Sequence, residues 1–190
     1  MHLFFDTETT GIPRNYKASV SDFDNWPRLV QIAWIVTDDS ETEIKCAEYV
    51  IKPNGFKIPK EAARIHGITT ELASQSGVDL NPVLKEISED ISGATALIAH
   101  NVQFDEKILG AEFLRMGHVN AIDGKPRKCT MQSSTNFCRI PGPYGYKWPK
   151  LQELYKKLFH QEFDNVHNAL ADVRACSKCY FELRRIGVMD

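Results

Sequence analysis

The chain has 190 residues, enough for one sizeable core, and its 43% hydrophobic and 25% charged content is ordinary for a soluble globular protein. A formal net charge of −2 excludes a binder that works through bulk positive charge, but leaves room for a site whose carboxylates are balanced by bound cations. Five widely spread cysteines, no secretory leader and no apolar stretch of membrane-spanning length point to reduced thiols, a cytoplasmic location and no membrane partner.

No repeat, low-complexity tract or linker divides the sequence, so residues 1–190 are expected to form a single domain. Leu3 to Phe5 is a short apolar run that reads as a buried strand, ended by the turn chemistry of Thr10-Gly11-Ile12-Pro13. Ile12 to Pro27 reads as a long loop, and a loop of that length beside a site is often functional. We expect it to shape an entrance, so that deleting it changes substrate preference and leaves hydrolysis of a small phosphodiester intact. Leu29 to Thr37 is a strong strand candidate, and Glu43 to Lys52 alternates well enough to be its partner. Three strands with no helix between them predict an antiparallel meander.

Helices then enter. Pro59 to Arg64 has room for one or two helical turns, and Pro82 to Ile91 places Val83, Leu84, Ile87 and Ile91 at helical spacing. Ala96 to Ala99 reads as a short buried strand, Phe104 to Met116 as a helix and Lys128 to Thr130 as a further strand. Phe137 to Lys147 reads as an irregular loop. Leu151 to Phe159 and Asn168 to Ile186 close the chain as helices. Strands first, then alternating helices and strands, predict an α/β mixed sheet: a three-strand meander, then parallel strands, flanked by helices.

Three segments carry chemistry. In Asp6-Thr7-Glu8 the two acids are two apart on a strand, so they share a face at its carboxyl end, where open sheets bind ligands. Paired like charges suit a hard divalent cation; a solvated acidic turn is the plainer alternative. In His100-Asn101-Val102-Gln103-Phe104-Asp105, Asp105 falls in the first turn of a helix, where the helix dipole alone would favour it. Its position after a buried strand lets it face the same crevice. In His167-Asn168-Ala169-Leu170-Ala171-Asp172 the five-residue spacing turns an unbroken helix through about 500°, so one helix does not bring the pair together. They converge if His167 lies in the preceding loop as a mobile base and Asp172 inside the helix as a fixed ligand.

DTETTG, AHNVQFD and HNALAD, in this order, resemble the three motifs of the DnaQ-like exonucleases with histidine in the third motif (DEDDh), related to the proofreading subunit of bacterial replicative DNA polymerase. RIHGIT at Arg64 to Thr69 and KLQEL at Lys150 to Leu154 resemble further segments of that family. The resemblance implies a ribonuclease-H-like fold and metal-dependent 3′-to-5′ removal of nucleoside 5′-monophosphates. It implies two ions, Mg²⁺ or Mn²⁺, held by Asp6, Glu8, Asp105 and Asp172, with Asp6 bridging and His167 taking a proton from the attacking water. Two ions about 3.5–4 Å apart can clamp both the entering and the leaving oxygen of such a displacement. The base has an ordinary pKa of about 6.5, suited to neutral pH.

For substrate contacts the expectation is Thr9, Thr10 and Gly11 at the terminal sugar through backbone amides, and Ile65 and His66 on the terminal base. Phe104 is read as a wedge or stacking ring, or else as core. Asn101 is read as a substrate ligand or a helix cap. The expected partner is a single-stranded 3′ end, of DNA before RNA, with an RNA-trimming enzyme as the alternative and a DNA polymerase as a possible companion subunit. Two other classes compete. An aspartyl phosphotransferase would need a second Asp where Glu8 stands, and a non-catalytic binding subunit would bind strands without cutting them. Cys176 and Cys179 lack a second pair for zinc. The three tryptophans, Trp26, Trp34 and Trp148, read as packing residues, and the Lys125–Lys128 run as a solvated loop.

Overall fold

The computed structural model describes residues 1–164 and 168–190. In chain order the elements are β1 (His2–Thr9), β2 (Leu29–Thr37), β3 (Glu43–Val50), α1 (Lys60–His66), α2 (Thr70–Ser76), α3 (Leu80–Gly93), β4 (Ala96–Ala99), α4 (Val102–Arg115), β5 (Arg127–Cys129), α5 (Thr130–Ser133), α6 (Thr135–Cys138), β6 (Pro141–Gly142), β7 (Gly145–Tyr146), α7 (Leu151–Phe159) and α8 (Ala169–Arg185). The main sheet has the order β3-β2-β1-β4-β5. β1–β2 and β2–β3 are antiparallel; β1–β4 and β4–β5 are parallel. The expected meander followed by parallel strands is therefore the observed architecture.

β2 is buried along its whole length, because helices cover both sheet faces, and so its sequence is a continuous apolar run rather than an alternation. On one face Leu3, Phe5 and Trp34 pack with Leu84, Ile108 and Phe113 from α3 and α4. On the other, Phe4, Ile35 and Ile98 meet Val173, Cys176 and Tyr180 of α8. α7 lies outside α8, where Leu154 and Tyr155 contact Cys179 and Leu183. Cys176 and Cys179 thus serve different interfaces, and all five thiols are free. Among the described residues no helix is long and apolar enough to cross a membrane.

The structure departs from expectation in several places. α2 was not foreseen: in TELASQS only Ala73 is buried, so no periodic apolar face announces it. The Thr69 side chain starts it by accepting the Leu72 amide. Phe137 to Lys147 is not irregular: after α6 it forms a tight hairpin, Pro141 pairing with Tyr146 and Gly142 with Gly145. The basic run from Lys125 is not a solvated loop. Arg127 and Lys128 belong to β5, Arg127 pairs with Glu106, and Lys125 Nζ donates to the Ser92 and Ala94 carbonyls. α3 also begins two residues ahead of Pro82, which a helix tolerates in its first turn because the missing N–H has no intrahelical acceptor there.

The loop over 12–27 is tied down from within and without. Asn15 and Asn25 exchange backbone and side-chain hydrogen bonds, and the buried Trp26 donates to the Ser19 carbonyl. Arg115 of α4 donates to the carbonyls of Phe23 and Trp26. Since Trp26 belongs to the main core, deleting the loop would open that core, so the deletion does not separate substrate preference from folding.

Candidate metal centre and strand site

Alternation along β1 decides which acids meet. Phe4 faces α8, and Asp6 and Glu8 extend that row past the packed core to the first turn of α8. That turn is fixed by Asn168, whose side chain accepts the Ala171 amide, and it carries Asp172, 9% exposed. Carboxylate oxygens of Asp6, Glu8 and Asp172 all lie within 4.8 Å of one another. Asp105 arrives from the opposite face. β1 runs past its last β4 partner, the pairing of Phe4 with Ile98, and there Asp105 substitutes for the missing strand. Its Oδ1 accepts from the Thr7 amide (3.0 Å) and the Thr7 hydroxyl (2.7 Å).

Electrostatics ties the four acids together. Burial first, then the charges of Asp105, Asp172 and Glu8, hold the Asp6 carboxyl well above the usual range. Burial, then Asp172 and Asp105, push Glu8 up to about 8. Asp105 rises to about 7 through burial, opposed by its Thr7 hydrogen bonds. Without cations, Asp6 and Glu8 therefore keep protons at neutral pH, and Asp105 keeps one in part. The donors are all hard oxygens on rigid elements, the chemistry that Mg²⁺ or Mn²⁺ takes. His167, expected as the base, lies outside the described residues.

Two cavities flank the acids. One, of about 420 Å³, is lined by Glu8, Thr10, Gly11, Ile65, His66 and Phe104. The other, of about 680 Å³, is lined by Asp6, His100, Asn101, Lys150, Gln152 and Asp172. Both sizes suit a nucleotide-scale ligand. Most of the substrate residues expected from sequence thus line one cavity or the other, in particular arrangements. Ile65 is 59% exposed at the rim, and His66 Nδ1 accepts the Ile68 amide across Gly67, whose φ of 78° suits glycine. Phe104 packs against the core and also lines this cavity.

The amides of Thr10 and Gly11 already have partners, the Arg28 carbonyl (3.0 Å) and the Thr9 hydroxyl (3.4 Å). The Thr9 hydroxyl in turn donates to the Gly11 carbonyl. This turn therefore offers a cavity wall rather than spare amides at Thr10 and Gly11. Asn101 sits at the N-cap of α4 in a left-handed conformation (φ 83°), yet its side chain makes no capping bond. The capping alternative is thereby set aside, and a strained non-glycine backbone presents this amide to the acid cavity.

Sequence reasoning gave no role to His100. It is buried between two partners, Nε2 at 2.9 Å from the Pro149 carbonyl and Nδ1 at 2.9 Å from the Thr130 hydroxyl. A carbonyl only accepts, so Nε2 carries the proton and the neutral ring accepts from Thr130. Burial pushes its pKa down to about 4, which agrees. Its place immediately after the ALIA strand was the available signal; its partners, 30 and 49 residues away, were not visible.

The RNase T-type exonuclease family model matches residues 3–180, nearly the whole chain. The chain belongs to that exonuclease family. Among its relatives, an uncharacterized exonuclease of Escherichia phage 186 is 29% identical over 186 residues, 90% of this chain and 82% of the phage protein. Escherichia coli exonuclease I, solved with zinc and single-stranded DNA, superposes with a TM-score of 0.77 at 23% identity, over 98% of this chain and 40% of that one. The exonuclease I of Methylocaldum szegediense gives 0.76 at 24% identity, with 98% and 40% covered. This exonuclease therefore shares the ribonuclease-H-like fold with those enzymes while spanning only 40% of their length. Exonucleases of this family use divalent ions, which agrees with the oxygen donors gathered at Asp6, Glu8 and Asp172.

Proposed function

We propose that residues 1–190 form one domain that removes nucleoside 5′-monophosphates from the 3′ end of a single nucleic-acid strand, DNA before RNA. The observation that carries this reading is the convergence of Asp6, Glu8 and Asp172 within 4.8 Å, with Asp105 in their field. Asp6, Glu8, Asp105 and Asp172 would hold two divalent ions. Such ions, when bound, offset charge on the entering and leaving oxygens of the phosphate. Asp105, anchored on Thr7, fixes the end of β1 relative to α4 and so keeps Asp6 and Glu8 aimed at α8. His167, five residues before Asp172, accepts the proton of the attacking water.

The terminal nucleotide lies in the cavity of Ile65, His66 and Phe104, where an aromatic face accepts any base. The strand behind it leaves past Asn101 and Lys150. Single-stranded DNA bound to exonuclease I, a protein of the same fold, supports DNA as the first substrate. The test compares 3′-labelled and 5′-labelled single-stranded DNA, duplex DNA and RNA with Mg²⁺ or Mn²⁺, using Asp6→Ala as the blank. Stepwise loss from the 3′ end of single-stranded DNA, absent in the variant, is expected. Faster loss of RNA would transfer the substrate to the trimming class, and shortening from the 5′ end would overturn the polarity.

A further inference from the structure

The hairpin between α6 and α7 carries a row of exposed aromatic rings. Tyr144 is wholly exposed, Tyr146 is 51% exposed and Trp148 is 59% exposed. Tyr144 stands in the turn, and Tyr146 and Trp148 follow it two residues apart on the returning arm, where alternate side chains of an extended chain share a face. Pro149 biases Trp148 toward that extended form. The other two tryptophans are buried, with their indole N–H groups bonded to the Ser19 carbonyl and to Asp90. A cluster of exposed rings on a soluble surface calls for an occupant.

The rings stand on a stiff base. The Lys147 amide donates to the Ile140 carbonyl at 2.9 Å, closing the foot of the hairpin. Glu153 of α7 accepts from Lys147 Nζ at 2.7 and 2.9 Å and from the Lys150 amide at 2.7 Å. The Pro149 carbonyl is held by His100, next to Asn101. One residue further on, Lys150 and Leu151 line the cavity that contains Asp6 and Asp172. The arm that carries the rings therefore leads within two residues of Trp148 into the wall of the acid cavity. Arg139 and Lys150 are exposed at its two ends, a charge pattern that complements a phosphate backbone.

A cleft of about 540 Å³ at the far edge of the sheet has basic residues too, but Arg127 is paired with Glu106 and Lys128 with the Asp190 carbonyl. It contains none of the four acids and offers no such continuity.

We propose that Tyr144, Tyr146 and Trp148 form a stacking platform for the bases of a single strand upstream of its terminal nucleotide. This rests on the exonuclease reading above. The strand crosses the platform, passes Lys150 and Asn101, and ends in the cavity of His66 and Phe104. Stacking sets how tightly a strand is held and leaves its sequence unread.

The test uses Trp148→Ala, Trp148→Phe and the parent chain with a twelve-nucleotide dT strand. In Trp148→Ala the KM for this strand rises about 10-fold, a typical loss for one stacked base. Trp148→Phe keeps most of the affinity because it keeps a ring. Titrating the dT strand into the parent with Ca²⁺ quenches tryptophan emission, and the quench is lost in Trp148→Phe, since Trp26 and Trp34 are buried. An unchanged KM in Trp148→Ala, a loss carried by kcat alone, or emission unmoved by the strand overturns the platform. A parent chain that quenches with the strand but cuts nothing keeps the platform and overturns the exonuclease reading.

Discussion

Two buried acidic regions lie at opposite ends of α4 and are built on opposite principles. At its carboxyl end Glu112 has no solvent exposure, yet it is fully matched: Arg28 donates from Nε and Nη2, Arg115 from Nη1 and Leu29 from its amide. At its amino end Asp105 joins Asp6, Glu8 and Asp172, and the charges acting on Asp6 are those of the other three acids. The first region closes on itself and binds the 12–27 loop to the sheet. The second gathers acids that burial and mutual repulsion hold above their ordinary pKa values, an arrangement that an added cation would relieve. The same helix thus carries one acid neutralised by two guanidinium groups and another gathered with further acids, the arrangement that the proposed metal site calls for.

This contrast predicts separate failures. The largest effect is expected from Asp6→Ala. Hydrolysis should fall by about a thousandfold, the loss of several kcal/mol of charge stabilisation, while thermal unfolding of the metal-free variant should show no loss of stability. A destabilised but active Asp6→Ala chain would refute the division. Glu112→Ala should do the reverse. It leaves Arg28 and Arg115 without their buried partner and should cost about 3–5 kcal/mol by denaturant titration.

A smaller effect concerns pH. The Glu8 carboxyl, about 8 when folded, lies above its ordinary value near 4.5, so between those pH values the folded chain holds more protons than the unfolded one. Metal-free stability should therefore decline as pH rises from 5 to 8, with Asp105, at about 7, acting in the same sense. Added Mg²⁺ should raise the melting temperature more at pH 8 than at pH 5; equal gains at both would show that these protons are not what the ion displaces. The smallest effect is expected at the exposed pair of Arg174 and Glu43, where Arg174→Ala should change stability by about 0.5 kcal/mol or less.

Local pattern reveals some of this and conceals the rest. The bounds of β2, β4 and α7 follow from runs and spacings within the segments themselves, as do the shared face of Asp6 and Glu8 and the first-turn position of Asp105. What the sequence hides depends on distant partners. Thr7 reads as a spacer between two acids until Asp105, 98 residues away, is seen to bond it. Nothing in the helix sequence around Glu112 reports that Arg28, 84 residues away, pairs with it. The 12–27 loop reads as an entrance because nothing in its own sequence reports that Arg115 fastens it. α2 hides because a helix with one buried residue has no stripe to detect.

The crossing of β1 by alternate side chains sets a limit on how this protein can change. Phe5, Thr7 and Thr9 belong to one layer, and Phe4, Asp6 and Glu8 to the other, so inserting or deleting one residue ahead of Asp6 would swap the two sets. Threonine would then look toward α8, and both acids would be driven into the hydrophobic layer beneath α4. Length variation is thus forbidden on His2 to Phe5, the four residues of β1 that precede the first acid, whereas point changes that respect parity are free to accumulate there.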